Sequence, residues 1–108
     1  MYTWFSEKES YKLQPDLMNR LDWARDIAEV PFIITSGFRT PEDNERVGGV
    51  ENSAHLTGWA VDIAYETEYE LYRILYALLR QSFTRIGIYE GHVHVDMDPS
   101  KNEERVWR

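Results

Sequence analysis

The chain carries three histidines, His55, His92 and His94, and they fall in two short clusters. The first is Ser53-Ala54-His55-Leu56-Thr57-Gly58-Trp59-Ala60-Val61-Asp62; the second is His92-Val93-His94-Val95-Asp96. Imidazole is the commonest side-chain metal ligand, and together with carboxylate it makes an N/O set suited to zinc. The sequence has no cysteine, so neither a thiolate site nor a disulfide framework is available. Any zinc must therefore rest on imidazole and carboxylate. On a strand, His92 and His94 point to one face while Val93 and Val95 point to the other, where a core needs them. Asp62 stands between Val61 and Ile63, and an ionised carboxylate in such surroundings is costly unless paired, hydrogen-bonded or coordinated. The expectation is that the two clusters meet in space.

Positioning those residues falls to a short series of elements. Leu17, Leu21, Ala24 and Ala28 recur at helical spacing behind Pro15, a residue suited to the first helical position, and predict a helix over 15–29. Pro31 ends it, and the β-branched run Phe32-Ile33-Ile34-Thr35 reads as a short buried strand. A short helix follows over 41–47, acidic at its start and closed by Gly48-Gly49. The glycine- and serine-bearing stretch 48–58 reads as irregular, and Ala60–Ala64 as a strand holding Asp62. Leu71, Ile74, Leu75, Leu78 and Leu79 make an amphipathic helix over about 67–81. Residues 85–89 and 92–96 are two strands joined at Glu90-Gly91, a hairpin signal. The tyrosines at 69, 72 and 76 are read as packing residues of the second main helix. Trp4, Trp23, Trp59 and Trp107 are read as core or rim. Two main helices and a small, mostly antiparallel sheet make the fold class α+β.

At 108 residues the chain has room for one domain with one modest core. A net charge of −7 argues against a nucleic-acid partner, because phosphate binding rests on Lys and Arg. No apolar run is long enough for membrane insertion as a helix. The first residues lack the basic and apolar regions of a signal peptide. The expectation is synthesis in the cytoplasm. Action elsewhere would then follow release by a phage at lysis or in a virion, or membership of a longer exported parent. A monomer is the default.

Three segments together carry a family resemblance. Ser36-Gly37-Phe38-Arg39-Thr40-Pro41 resembles the SGYR-type segment of the zinc D-Ala-D-Ala metallopeptidases. Asn52-Ser53-Ala54-His55-Leu56-Thr57-Gly58-Trp59-Ala60-Val61-Asp62-Ile63 is similar to their SxHxxGxAxD signature, and Gly87-Ile88 followed by His92-Val93-His94-Val95 to their closing HxH element. The order is right, and the three span roughly residues 30–96. The resemblance implies the fold shared by D-Ala-D-Ala carboxypeptidases, phage endolysin peptidases and the hedgehog signalling domain. It implies His55, Asp62 and His94 as zinc ligands, with an open fourth position as in catalytic zinc sites. His92 matches a histidine that stabilises the developing oxyanion, and Arg39 an arginine that grips a substrate carboxylate. Ser53 matches a serine that contacts substrate or braces its loop. The alternative for Arg39 is an ion-pairing or capping role.

The chain departs from the family at one position. Members usually carry an acid three residues before the last ligand, serving as general base, and Gly91 stands there. Glu90, one residue earlier, either replaces that acid or is a plain turn residue. Asp96 shares the strand face of both histidines and can orient a ligand. If neither acid reaches the water, His92 does the proton transfer. The expected function is zinc-dependent hydrolysis of amide bonds in peptidoglycan stem peptides, as a D-Ala-D-Ala carboxypeptidase or a cross-link endopeptidase. The rival is a zinc-containing wall-binding or phage structural module of little or no activity, favoured by a closed site in which His92 is a fourth ligand.

Overall fold

The computed structural model describes residues 1–108. Pro15 opens helix α1 (Pro15–Ala28), and Glu29, in the left-handed conformation, closes it. Its apolar stripe of Leu17, Met18, Leu21, Ala24 and Ala28 is fully buried. Helix α3 (Glu68–Arg80) starts at Thr67, whose hydroxyl accepts from the Glu70 amide, the usual remedy for unpaired amides at a helix start. Ile74, Ala77 and Leu78 turn inward, and α3 packs on α1. Between them in the chain comes the short helix α2 (Pro41–Arg46), capped by Thr40.

Five strands form one sheet in the order β1-β2-β4-β3-β5: β1 (Ile33–Ser36), β2 (Ala60–Ala64), β3 (Arg85–Tyr89), β4 (His92–Asp96) and β5 (Arg105–Trp107). All pairings are antiparallel except that of β3 with β5. Period-two alternation splits the sheet cleanly. Val61, Ile63, Ile86, Val93 and Val95 face α1 and α3 in a core cluster of 18 residues. Asp62, His92, His94 and Asp96 take the opposite face. The architecture is the expected α+β, with a short third helix.

Several expectations need correction. The run 32–35 is not a buried strand: β1 begins at Ile33, lies at the sheet edge, and leaves Ile33 56% exposed, while Phe32 just before it is buried. Sequence pattern cannot tell an edge strand from a central one. Tyr69 and Tyr72 are solvent-exposed rather than packing residues, as are Leu79 and Trp23; they occupy the outer faces of α3 and α1. β5 was not anticipated, because Arg105-Val106-Trp107 is short, polar at its borders and bonded only to β3.

Candidate metal centre

The register of the sheet brings the two histidine clusters together. Asp62 on β2 and His94 on β4 are directly paired residues of adjacent antiparallel strands, so their side chains rise side by side on the same face. His55 arrives from a single 3-10 turn, Ala54–Thr57. Ser53 caps that turn, its Oγ accepting from the His55 amide at 3.2 Å. At its other end Gly58 has φ +78, and an added Cβ would sit 2.3 Å from the Lys12 carbonyl oxygen. Only glycine lets the two backbones approach so closely.

Ligand atoms of His55, Asp62 and His94 all lie within 4.8 Å of one another. The Asp62 Oδ1 is 3.3 Å from His55 Nε2 and 3.2 Å from His94 Nδ1. The outer ring nitrogens settle which inner atoms are bare. His55 Nδ1 lies 2.7 Å from the Gly37 carbonyl, which only accepts, so Nδ1 carries the proton and Nε2 of the neutral ring offers a lone pair. His94 Nε2 lies 2.8 Å from Asp96 Oδ2, which leaves His94 Nδ1 bare by the same logic. Two imidazole lone pairs and a carboxylate oxygen thus converge. Acceptors arranged this way need a positive centre between them, either a proton on an imidazole or a metal ion. The donor set fits zinc: two imidazoles and one carboxylate, each oriented from behind by a second contact.

In the metal-free fold a proton on imidazole takes the place of that positive centre. Burial alone would raise the Asp62 carboxyl, but hydrogen bonds and charge from His55 and His94 outweigh it and hold the group well below the usual carboxylate range. Burial pushes His94 down, yet Asp62 and Asp96 more than offset this and raise it above the ordinary histidine value. Asp96 is lowered despite burial, through His94 and Arg85.

Around the cluster opens a cleft of about 450 Å³. His92 lines it, stacked on Tyr89 with ring centroids 4.9 Å apart; it stands outside the three-residue ligand group. Arg39 also lines the cleft, donating from Nε to Ser36 Oγ at 3.0 Å, from Nη1 to Asn44 Oδ1 at 3.3 Å and from Nη2 to Asp62 Oδ2 at 3.3 Å. Ser53 lies on the same wall. Glu90 does not: it is exposed at the tip of the β3–β4 hairpin and outside the lining. The hairpin explains Gly91, whose φ of +85 suits the turn and strains any residue with a Cβ. Tyr89, Arg85, Lys101 and Trp107 also line the wall, and the sequence motifs give none of them a role in the site. For Tyr89 and Arg85 the signal was present, since period two puts them on the face of His92 and His94 once β3 is paired with β4.

The family model described as Peptidase M15 matches residues 3–98. The chain belongs to the peptidase M15 family. A solved relative in fold is the Serratia marcescens L-Ala D-Glu endopeptidase ChiX, with 22% sequence identity and a TM-score of 0.55. The similarity covers 83% of this chain and 85% of that one. No curated protein matches the chain. Within this M15 peptidase, the matched span holds His55, Asp62, His92, His94 and Arg39, and it ends before β5 and Trp107.

Proposed function

We propose that this M15 peptidase hydrolyses amide bonds in the stem peptides of bacterial peptidoglycan, with zinc held by His55 Nε2, Asp62 and His94 Nδ1. The observation that carries the reading is the convergence of those three acceptors at the floor of an open cleft. Zinc bound there supplies Lewis-acid polarisation of a carbonyl and a more acidic water. The remaining chemistry belongs to the chain. His92 has no hydrogen-bond partner on its imidazole, stands at the cleft wall, and is kept flat against Tyr89, so a ring nitrogen is free to take up and return the proton of an attacking water. Arg39 keeps two N–H groups beyond its three protein contacts, enough to receive a substrate carboxylate as a two-pronged donor. Ser53 Oγ accepts from the His55 amide and keeps its own proton for substrate. Glu90 stays a turn residue in this reading. The substrate lies outside the cytoplasm, so release with a phage or export within a longer parent is part of the proposal.

A second reading has one observation in its favour. The acids lining the cleft are Asp62 and Asp96, one among the proposed ligands and the other paired with Arg85, which suits a zinc-holding module of low activity. One experiment separates the two: count zinc per purified chain, then offer peptidoglycan and synthetic stem peptides to the wild type, His92→Ala and Glu90→Ala. One zinc per chain, with cleavage that collapses in His92→Ala and survives in Glu90→Ala, supports the peptidase with His92 as proton carrier. Collapse in Glu90→Ala alone moves that role to the hairpin tip. One zinc and no cleavage of any wall peptide selects the second reading.

A further inference from the structure

Arg85 belongs to none of the three sequence motifs, yet its guanidinium is among the better-buried charges near the site, 13% exposed against 2% for its partner Asp96. Its Nε donates to Asp96 Oδ1 at 2.8 Å. Its Nη1 donates to the Glu103 carbonyl at 2.8 Å. Its Cζ lies over the Trp107 ring, 5.4 Å from the centroid. The other Asp96 oxygen, Oδ2, is the one that holds His94 Nε2. Oδ1 has only one further donor, the Asp98 amide at a long 3.4 Å. A continuous line of contacts therefore runs from the tail segment through Arg85 and Asp96 to the back of His94. A planar fork reaches a carboxylate and a carbonyl at once, which a lysine ammonium does poorly.

Trp107 completes the arrangement. It seats on Gly87, where an added Cβ would fall 2.7 Å from the indole, and its ring centroid stands 5.6 Å from that of His94. The tail is held independently by the Arg105 amide on the Thr84 carbonyl at 2.8 Å and by Trp107 Nε1 on the Tyr89 hydroxyl at 2.7 Å. These residues, 103–107, lie beyond the family match, which stops at residue 98.

We propose that Arg85 and the tail segment 103–107 form a clamp that sets the orientation of His94 as a metal ligand, so that the last strand belongs to the metal centre. Arg85 is a positioning residue: it pins Asp96, Asp96 pins His94 Nε2, and Nδ1 is thereby left bare and aimed at Asp62. Loss of the guanidinium leaves Asp96 Oδ1 with only the long amide contact, frees the carboxylate to turn, and releases the ring. Partners of this kind, set behind a ligand, are typically worth about 10–100-fold in metal affinity. The clamp rests on the metal-centre reading given above.

The test is zinc affinity by competition with a chromophoric chelator, for the wild type, Arg85→Met and Arg85→Lys, together with the imidazole 15N spectrum of the zinc-loaded wild type. The clamp requires a zinc Kd raised about tenfold or more in Arg85→Met, with partial recovery in Arg85→Lys. It also requires a wild-type His94 protonated at Nε2 and coordinated through Nδ1, a signature that a merely structural arginine does not dictate and that needs no variant to fold. Affinities within twofold of wild type in the folded variants, or the opposite His94 tautomer, overturn the clamp while leaving the metal centre intact. A wild type that binds no zinc overturns both.

Discussion

Zinc should raise the melting temperature of this chain by an amount that its size dictates. With 108 residues, unfolding carries an entropy of about 0.23 kcal/mol/K, so each kcal/mol of added stability moves the midpoint by about 4 °C. A ligand that binds only the native state at a hundredfold excess over its Kd adds about 2.7 kcal/mol. The three acceptors come from a 3-10 turn and two strands of the folded sheet, separated by up to 39 positions between His55 and His94, so the unfolded chain offers no comparable site. The expected shift is therefore about 12 °C for zinc added to chelator-treated protein at that excess. His55→Ala deletes one of the three ligands and should reduce the shift to about 2 °C or less at the same zinc concentration. His92→Ala, which lies outside the ligand group, should keep it whole. The assay is calorimetry with and without zinc on all three proteins. An unchanged wild-type midpoint, or an equal shift in His55→Ala, refutes the convergence of acceptors as a metal site. Loss of the shift in His92→Ala refutes the three-ligand arrangement and makes His92 a fourth ligand.

Acidity should stabilise the zinc-free protein and shrink the stabilisation that zinc adds. His94 is raised in the metal-free fold, so its contribution to stability is complete below about pH 6.5, the unfolded value, and is lost as pH rises through the raised folded value; the same protonation competes with zinc, so the zinc-induced shift should grow over that window. A thermal scan across pH with chelator and with zinc checks both slopes, and parallel slopes would contradict the assignment. Gly91→Ala meets no atom within 4 Å but keeps φ at +85, so a purely conformational cost of about 1–2 kcal/mol is expected, read as a lower denaturant midpoint with an unchanged m-value. Leu78→Ala should cost about 2–5 kcal/mol because the side chain is fully buried, whereas Leu79→Ala, 57% exposed, should stay within about 0.5 kcal/mol; equal losses would mean that α3 is rotated from the orientation described.

Much of this protein was determined by local pattern, because local pattern reflects short-range geometry. Helical spacing behind Pro15 and in Leu71–Leu78 is a property of neighbouring residues, and both helices formed within a residue or so of expectation. Alternation in His92-Val93-His94-Val95 set which side chains face the core before any partner strand was known, since a strand has only two faces. Family motifs added His55, Asp62 and His94 as a group. What pattern does not encode is which strand lies beside which. The direct pairing of Asp62 with His94, the exposed edge position of Ile33 and the arrival of β5 alongside β3 are long-range choices, decided by how α1 and α3 cover the sheet and by the niche at Gly87 that admits Trp107. The same is true of Glu90 and Arg85. Glu90 stands one residue from the usual acid position, yet the hairpin turns it into solvent. Arg85 lies nine positions from His94, and only the pairing of β3, β4 and β5 brings its guanidinium behind that ligand.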